Sequence, residues 1–316
     1  MSNNLSFEKI TEKHLPLLFA WLNSPRLKGT YDDGFSSLDL LRAKYLRNER
    51  DIQRFIVTCQ GTPFGYIQSY DVNATHAYAR YAKGTGKTIG IDLFIGELSF
   101  LGSGYGLLMI REFILFLGRT IARVIVDPLI GNSSLRIFEK YGFIEVSLEG
   151  NHPILAIDIR YTARALILND QNQLLLMRVE DTTTYDELRA SDHFWVTIGG
   201  TIEEGEREQE TVKREVTEET GIEDFSLGEL AFFGQHTLLF SAFPVRHFEK
   251  YYLTYTNQVK THQQNLTHNE KQIFKELRWW SLTDLLSTTE VVYPRCLGIE
   301  MEKVMQGEKI PKEIVL

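Results

Sequence analysis

Residues 200–222 read GTIEEGEREQETVKREVTEETGI. From Glu206 to Thr220 there is no Gly or Pro and most residues favour helix, while Gly221 supplies the residue at which such a helix stops. The pattern predicts a helix over 206–220. On it Glu215 and Glu219 stand four apart, and Glu215 and Glu218 three apart, so three carboxylates project from one face. Like charges so placed repel. A cluster that costs stability until it is neutralised suits a hard divalent cation, which takes oxygen ligands and recruits phosphates. An isolated E-x-x-E-E is more often a solvated acidic face, so the surrounding residues decide.

The whole stretch fits, without a gap, the pattern Gly, five residues, Glu, seven residues, Arg-Glu-aliphatic, one residue, Glu-Glu, one residue, Gly-aliphatic. A chance match somewhere in the chain is on the order of one in ten million at ordinary residue usage. The stretch is identified as a Nudix box. That resemblance implies an α/β/α sandwich that hydrolyses a nucleoside diphosphate derivative with Mg²⁺ or Mn²⁺. In it Glu215, Glu218 and Glu219 would be metal ligands and catalytic residues, and Glu206 and Arg214 would form an ion pair bracing loop against helix. Gly199 and Gly200 are expected in a tight strand-to-helix loop. Around the box, Arg164 to Leu168, a turn at Asn169 to Asn172 and Leu174 to Met177 read as a hairpin of buried strands. Phe194 to Thr197 leads into the box as in the family, with Ile198 where Pro is usual, and Arg278 to Leu282 with Leu285 resembles the closing strand and short helix. The family's catalytic base comes from outside the box. Glu270 is the first choice here and Glu276 the second, with His262 and His268 as further candidates.

The N-terminal half carries a second pattern. Residues 90–97 (GIDLFIGE), 101–106 (LGSGYG) and 107–110 (LLMI) read as a strand, a Gly-rich loop and a helix. Free backbone N–H groups and the helix dipole at such a turn cradle a pyrophosphate. With no strand expected within the first thirty residues and the loop about a hundred residues in, the order is similar to that of the GNAT acetyltransferase family. Val124 to Pro128 as the next strand, Asn132 opening a helix and Glu139 to Phe143 at its end agree. Gly65 to Tyr70, Gly90 to Asp92, Asp127-Pro128 and the Asn-Ser-Ser-Leu-Arg run at 132–136 resemble aminoglycoside 6'-N-acetyltransferases. The likeness spans roughly residues 60–160; Thr11 to Leu22 and Leu38 to Leu46 fit two early helices. It implies a mixed sheet with flanking helices, acetyl-CoA held by Leu101, Gly102, Ser103, Gly104, Tyr105 and Gly106, and Asn132 on the pantetheine arm unless it is only a helix N-cap.

The chemistry implied is direct attack of an amine on the acetyl thioester. An amine with a Lys-like pKa near 10.4 is neutral about once in several thousand molecules at pH 7, a penalty of roughly 4 to 5 kcal/mol. A carboxylate that binds the ammonium and takes its proton offsets this, and Asp92 is the candidate. Phe138 stands where relatives have a Tyr that protonates the thiolate, and Phe cannot do so. Tyr141, three residues on, is not given the role.

At 316 residues the chain exceeds one usual core, and the motifs divide it into residues 1–160 and 161–316. The fold class expected is α/β and α+β: a GNAT fold followed by a Nudix α/β/α sandwich. Residues 1–160 hold 18 Lys+Arg against 16 Asp+Glu, and 161–316 hold 16 against 26. An acidic hydrolase half with no basic stripe argues against polymeric nucleic acid and for a nucleotide brought in by its metal. Asp32, Asp33, Asp71, Asp92 and Glu97 would suit a polycationic acceptor. Cys59 and Cys296 fall in different domains, so a reducing cytoplasm is expected rather than a disulfide framework. No 18-residue apolar stretch indicates a membrane span. Two other readings stand: an acetyltransferase for another amine or a hydroxylamine such as a siderophore precursor, and a Nudix half that senses a nucleotide. The oligomeric state is not readable.

Overall fold

The computed structural model describes residues 5–29, 31–32, 34–73, 76–180, 184–185, 193–240, 243–261 and 273–315. The chain forms two compact units, residues 1–158 and 159–316.

In the first unit β1 (Leu5–Lys9) is followed by α1 (Leu15–Leu22), α2 (Leu38–Tyr45), β2 (Ile52–Cys59), β3 (Thr62–Asp71), β4 (Lys87–Ile95), α3 (Tyr105–Leu117), β5 (Ile121–Val126), α4 (Ser133–Tyr141), β6 (Ile144–Glu149) and β7 (His152–Leu168). A strand therefore does begin within the first thirty residues, against expectation. β1 is short and half-polar, and it is held by antiparallel pairing with β2 and by Phe7 packed on Phe113 and Phe116 of α3. The order β1-β2-β3-β4-β5-β7 is antiparallel throughout except for the parallel β4–β5 pair, with β6 on β7. Successive strand residues face opposite ways. Ile56, Tyr66 and Phe94 accordingly pack with Leu18, Trp21 and Leu41 of α1 and α2. Phe55 turns the other way, onto Phe113 and Phe116 of α3.

In the second unit β7 continues, followed by β8 (Leu174–Glu180), β9 (Thr184–Tyr185), β10 (His193–Thr201), α5 (Glu208–Thr220), β11 (Ser226–Phe240), β12 (Phe243–Tyr255), β13 (Phe274–Trp280), α6 (Leu282–Ser287), β14 (Val292–Tyr293), α7 (Leu297–Met305) and β15 (Lys312–Glu313). The sheet runs β7-β10-β8-β13, and β11 and β12 form a long antiparallel hairpin. The alternation along β7 builds the sandwich. Ala163, Ala165 and Ile167 pack with Val212 and Val216 of α5, while Leu166 and Leu168 pack with Leu285, Leu297 and Met301 of α6 and α7. The hairpin read from Arg164 to Met177 is present, turning at Asn172 in left-handed backbone. Its first strand is longer than the sequence indicated, because residues 152–168 run on without a turn signal. Cys59 and Cys296 are free thiols. Among the described residues no helix is long and apolar enough to cross a membrane.

Candidate active sites

The carboxylate helix α5 begins at Glu208, two residues later than the expected start, and ends at Gly221 with φ 67°. Glu206 stays in the preceding loop, because its carboxylate is taken by Arg214 Nε at 2.9 Å and Thr211 Oγ1 at 2.7 Å. That ion pair holds the Glu206 carboxyl down at about 2. Arg214 also reaches Glu215 Oε1 at 2.8 Å and Glu218 Oε2 at 3.2 Å through the same Nη1. Glu219 Oε2 accepts from the Gly199 N–H at 2.9 Å, and Glu215 and Glu219 are buried while Glu218 is half-exposed. Gly199 and Gly200 lie within β10 rather than in the loop. Both are needed there for space. A Cβ on Gly200 would stand 2.1 Å from Glu215 Oε1, and one on Gly199 would stand 2.5 Å from the Ala163 carbonyl.

Glu270, His262 and His268 lie outside the described residues. Glu276 sits on β13, 3.4 Å from Arg178.

A second constellation in this unit gave no local signal in sequence. His236 of β11 stands directly opposite His247 of β12, with the rings stacked at 5.1 Å and 6° between planes. Glu249, two residues along β12 on the same face, completes a group whose ligand atoms lie within 4.8 Å of one another. Arg164 Nε and Thr162 Oγ1 donate to Glu249 Oε1 at 2.8 and 3.1 Å, and the Tyr251 hydroxyl donates to Oε2. Burial opposes ionisation of Glu249, but Arg164 beside it prevails and holds the carboxyl well below the usual range. Burial pushes His247 down to about 3, so its imidazole is uncharged at neutral pH.

In the first unit Leu101, Gly102, Ser103 and Gly104 form an exposed loop before α3, with Tyr105 and Gly106 its first helical residues. Gly102 and Gly104 have φ 72° and 83° and nothing within 4 Å of a built Cβ, so their need is conformational. Gly106 differs: a Cβ there would meet Ile137 Cδ1 at 2.9 Å, so glycine permits the close approach of α3 to α4. Asn132 caps α4, its Oδ1 accepting from the Ser134 N–H at 3.0 Å, which leaves Nδ2 as its donor. Phe138 is buried against Phe143, and Tyr141 is 2% exposed.

Asp92 lies on β4 opposite Gln68 of β3. The parallel β4–β5 pairing ends at Gly90↔Ile125, so Asp92 is just beyond the point where the two strands part. Tyr66 Oη donates to Gln68 Oε1 and Gln68 Nε2 donates to Asp92 Oδ2, both at 2.6 Å. Burial, and next the charge of Asp127, push the Asp92 carboxyl up to about 6, against the opposing Gln68 bond. Asp127 is itself bonded by Tyr78 Oη at 2.6 Å. Gly90 makes this row possible, since a Cβ there would strike the Tyr70 ring at 2.1 Å. The other acids are occupied: Asp32 with Lys44 at 2.7 Å, Asp71 with Lys87 at 2.6 Å, and Glu97 with Trp21 Nε1 at 2.8 Å. Asp33 lies outside the described residues.

Residues 11–148 match the family model of the acetyltransferase (GNAT) domain, and residues 158–296 match that of the NUDIX domain. The chain thus joins a GNAT acetyltransferase domain to a Nudix domain, and both domains are those of enzymes. Similar solved structures include the aminoglycoside acetyltransferase AAC(6')-Ib in complex with coenzyme A, at TM-score 0.43 and 22% identity over 48% of this chain and 94% of that one. Another is the aminoglycoside N(6')-acetyltransferase of Legionella pneumophila, at TM-score 0.41 and 22% identity over 50% and 94%. The MutT protein of Methanosarcina mazei matches at TM-score 0.34 and 24% identity over 48% and 96%. The search of curated proteins gave no significant match.

Proposed function

We propose a bifunctional enzyme, with residues 1–160 transferring acetyl from acetyl-CoA to an amine and residues 161–316 hydrolysing a nucleoside diphosphate derivative with Mg²⁺ or Mn²⁺. The observation that carries the first activity is the position of Asp92, partly exposed beyond the last β4–β5 pair and held at about 6. A carboxylate so poised binds the acceptor ammonium and takes its proton when ionised. The neutral nitrogen then attacks the thioester carbonyl carbon, the C–S bond breaks, and the thiolate leaves with a proton from water or from the amine. Phe138 has no proton to give, and Tyr141 is buried, at 2% exposed. Backbone N–H groups at the start of α3 support the cofactor's pyrophosphate, while Asn132 Nδ2 and the β5-facing edge of β4 offer bonds to the amide-bearing pantetheine arm.

An aminoglycoside is the acceptor we favour, with antibiotic inactivation in the cytoplasm as the consequence. The pairing of Asp32 with Lys44 and Asp71 with Lys87 reduces the acidic surface open to a polycation, which favours the second reading of a smaller amine or a hydroxylamine. A panel of amines assayed with acetyl-CoA separates the two. Acetylation of other amines with none of aminoglycosides would discard the antibiotic substrate.

For the second activity, Glu215, Glu218 and Glu219 would hold the ion, and their hard oxygen donors fit it. When bound, it polarises a phosphoryl oxygen and acidifies water. Glu219 is fixed for this by the Gly199 N–H and Glu215 by the space Gly200 leaves. Glu206 orients Arg214, which holds Glu215 and Glu218 together. Glu270 remains our choice of base. A screen of nucleoside diphosphate derivatives with and without Mg²⁺ tests this half, and absence of any hydrolysis would favour a nucleotide sensor.

A further inference from the structure

We propose that His236, His247 and Glu249 form a second metal site, distinct from the α5 carboxylates, that binds a borderline divalent ion such as Zn²⁺. His236 and His247 are direct cross-strand partners, and such pairs bring their Cβ atoms to about 4.5–5.5 Å, from which two imidazoles reach one ion when the rings rotate out of their parallel stack. Glu249 projects on the same face two residues from His247, and the three ligand atoms lie within 4.8 Å of one another. Two nitrogens and one oxygen are the ligands of a Zn²⁺ centre that keeps a fourth position open, whereas Mg²⁺ takes oxygen alone. Glu249 is pre-oriented. Arg164 and Thr162 hold Oε1, and Oε2, which accepts from the Tyr251 hydroxyl, lies 4.0 Å from His236 Nδ1. Donors that fix a ligating carboxylate in this way are the usual second layer of a metal site. Arg164 already balances Glu249, so a bound ion keeps its charge and its open position favours an anion such as hydroxide or phosphate.

The test is Zn²⁺ titration of the tag-free full chain, stripped with chelator and kept in excess Mg²⁺ to saturate oxygen-only sites, followed by calorimetry. Wild type should bind one Zn²⁺ per chain that His236→Asn and His247→Gln lose and Glu218→Gln keeps. Because His247 is buried, folding of each variant is checked by thermal melting, and His236→Asn at the more open position decides if His247→Gln does not fold. Zn²⁺ should raise the melting temperature of wild type but not of His236→Asn. Equal Zn²⁺ binding in wild type and His236→Asn, no Zn²⁺ binding by wild type, or loss of it in Glu218→Gln would each overturn the proposal.

Discussion

Asp92 sets two opposing demands on one side chain. Asp92→Asn keeps the shape and the partner Gln68, yet cannot accept a proton, so kcat/KM for the preferred amine should fall at least about a hundredfold. Acetyl-CoA affinity, measured by calorimetry, should hold, since on the proposed reading backbone groups of residues 101–106 carry that binding. Weakened acetyl-CoA binding with unchanged turnover at saturation would reduce Asp92 to a support of the strand. The pH dependence has a defined sign. Only the ionised carboxylate works as base, so kcat/KM should rise with pH through about 6, and that limb should vanish in Asp92→Asn. Stability moves the other way, because a carboxyl raised in the fold is best tolerated below its unfolded value near 3.8 and costs stability as pH rises through about 6. Asp92→Asn should therefore melt higher than wild type near neutral pH and equally at strongly acid pH. For the other half, Glu218→Gln should nearly abolish hydrolysis while leaving acetyl transfer intact. Hydrolysis within about threefold of wild type would remove Glu218 from the metal set.

At the scale of elements, Gly200→Ala would press a methyl group into Glu215 from the neighbouring strand. Overpacking of this kind costs about 1–3 kcal/mol, and the displaced carboxylate should take hydrolysis with it. A thermal melt and a turnover assay read both, and a variant with unchanged melting and rate would show that β10 and α5 part easily. What could be read from sequence follows the range of each interaction. The Glu206–Arg214 pair was implied by the Nudix resemblance, and the α5 helix and its Gly221 stop lie within one short stretch whose spacing states them. The α3 loop and the Asn132 cap were legible for the same reason. β1 was not, since a five-residue, half-polar strand gains its order from β2 and α3. Gln68 beneath Asp92 and the His236–His247–Glu249 group depend on strand register, which no local pattern records. Glu270 sits on a segment beyond the described residues, so its part in hydrolysis rests on the resemblance alone.

For the whole molecule, the two units carry separate chemistries within separate cores. EDTA should silence hydrolysis and spare acetyl transfer, because among the described residues no group of His, Cys, Asp and Glu side chains suited to a metal ion lies around Asp92 or residues 101–106. Loss of acetyl transfer in EDTA would show that the two activities are linked. Substitutions should separate likewise, with Asp92→Asn sparing hydrolysis. The net charge of −8 is concentrated in residues 161–316, so the hydrolase half must manage its own repulsion before any ion arrives.

Arg214 is the means of doing so. Its guanidinium touches Glu206, Glu215 and Glu218 at once, and it is a tethered occupant that no chelator can extract. On the proposed metal set, loading would be an exchange of one cation's company for another's, rather than the filling of bare charge.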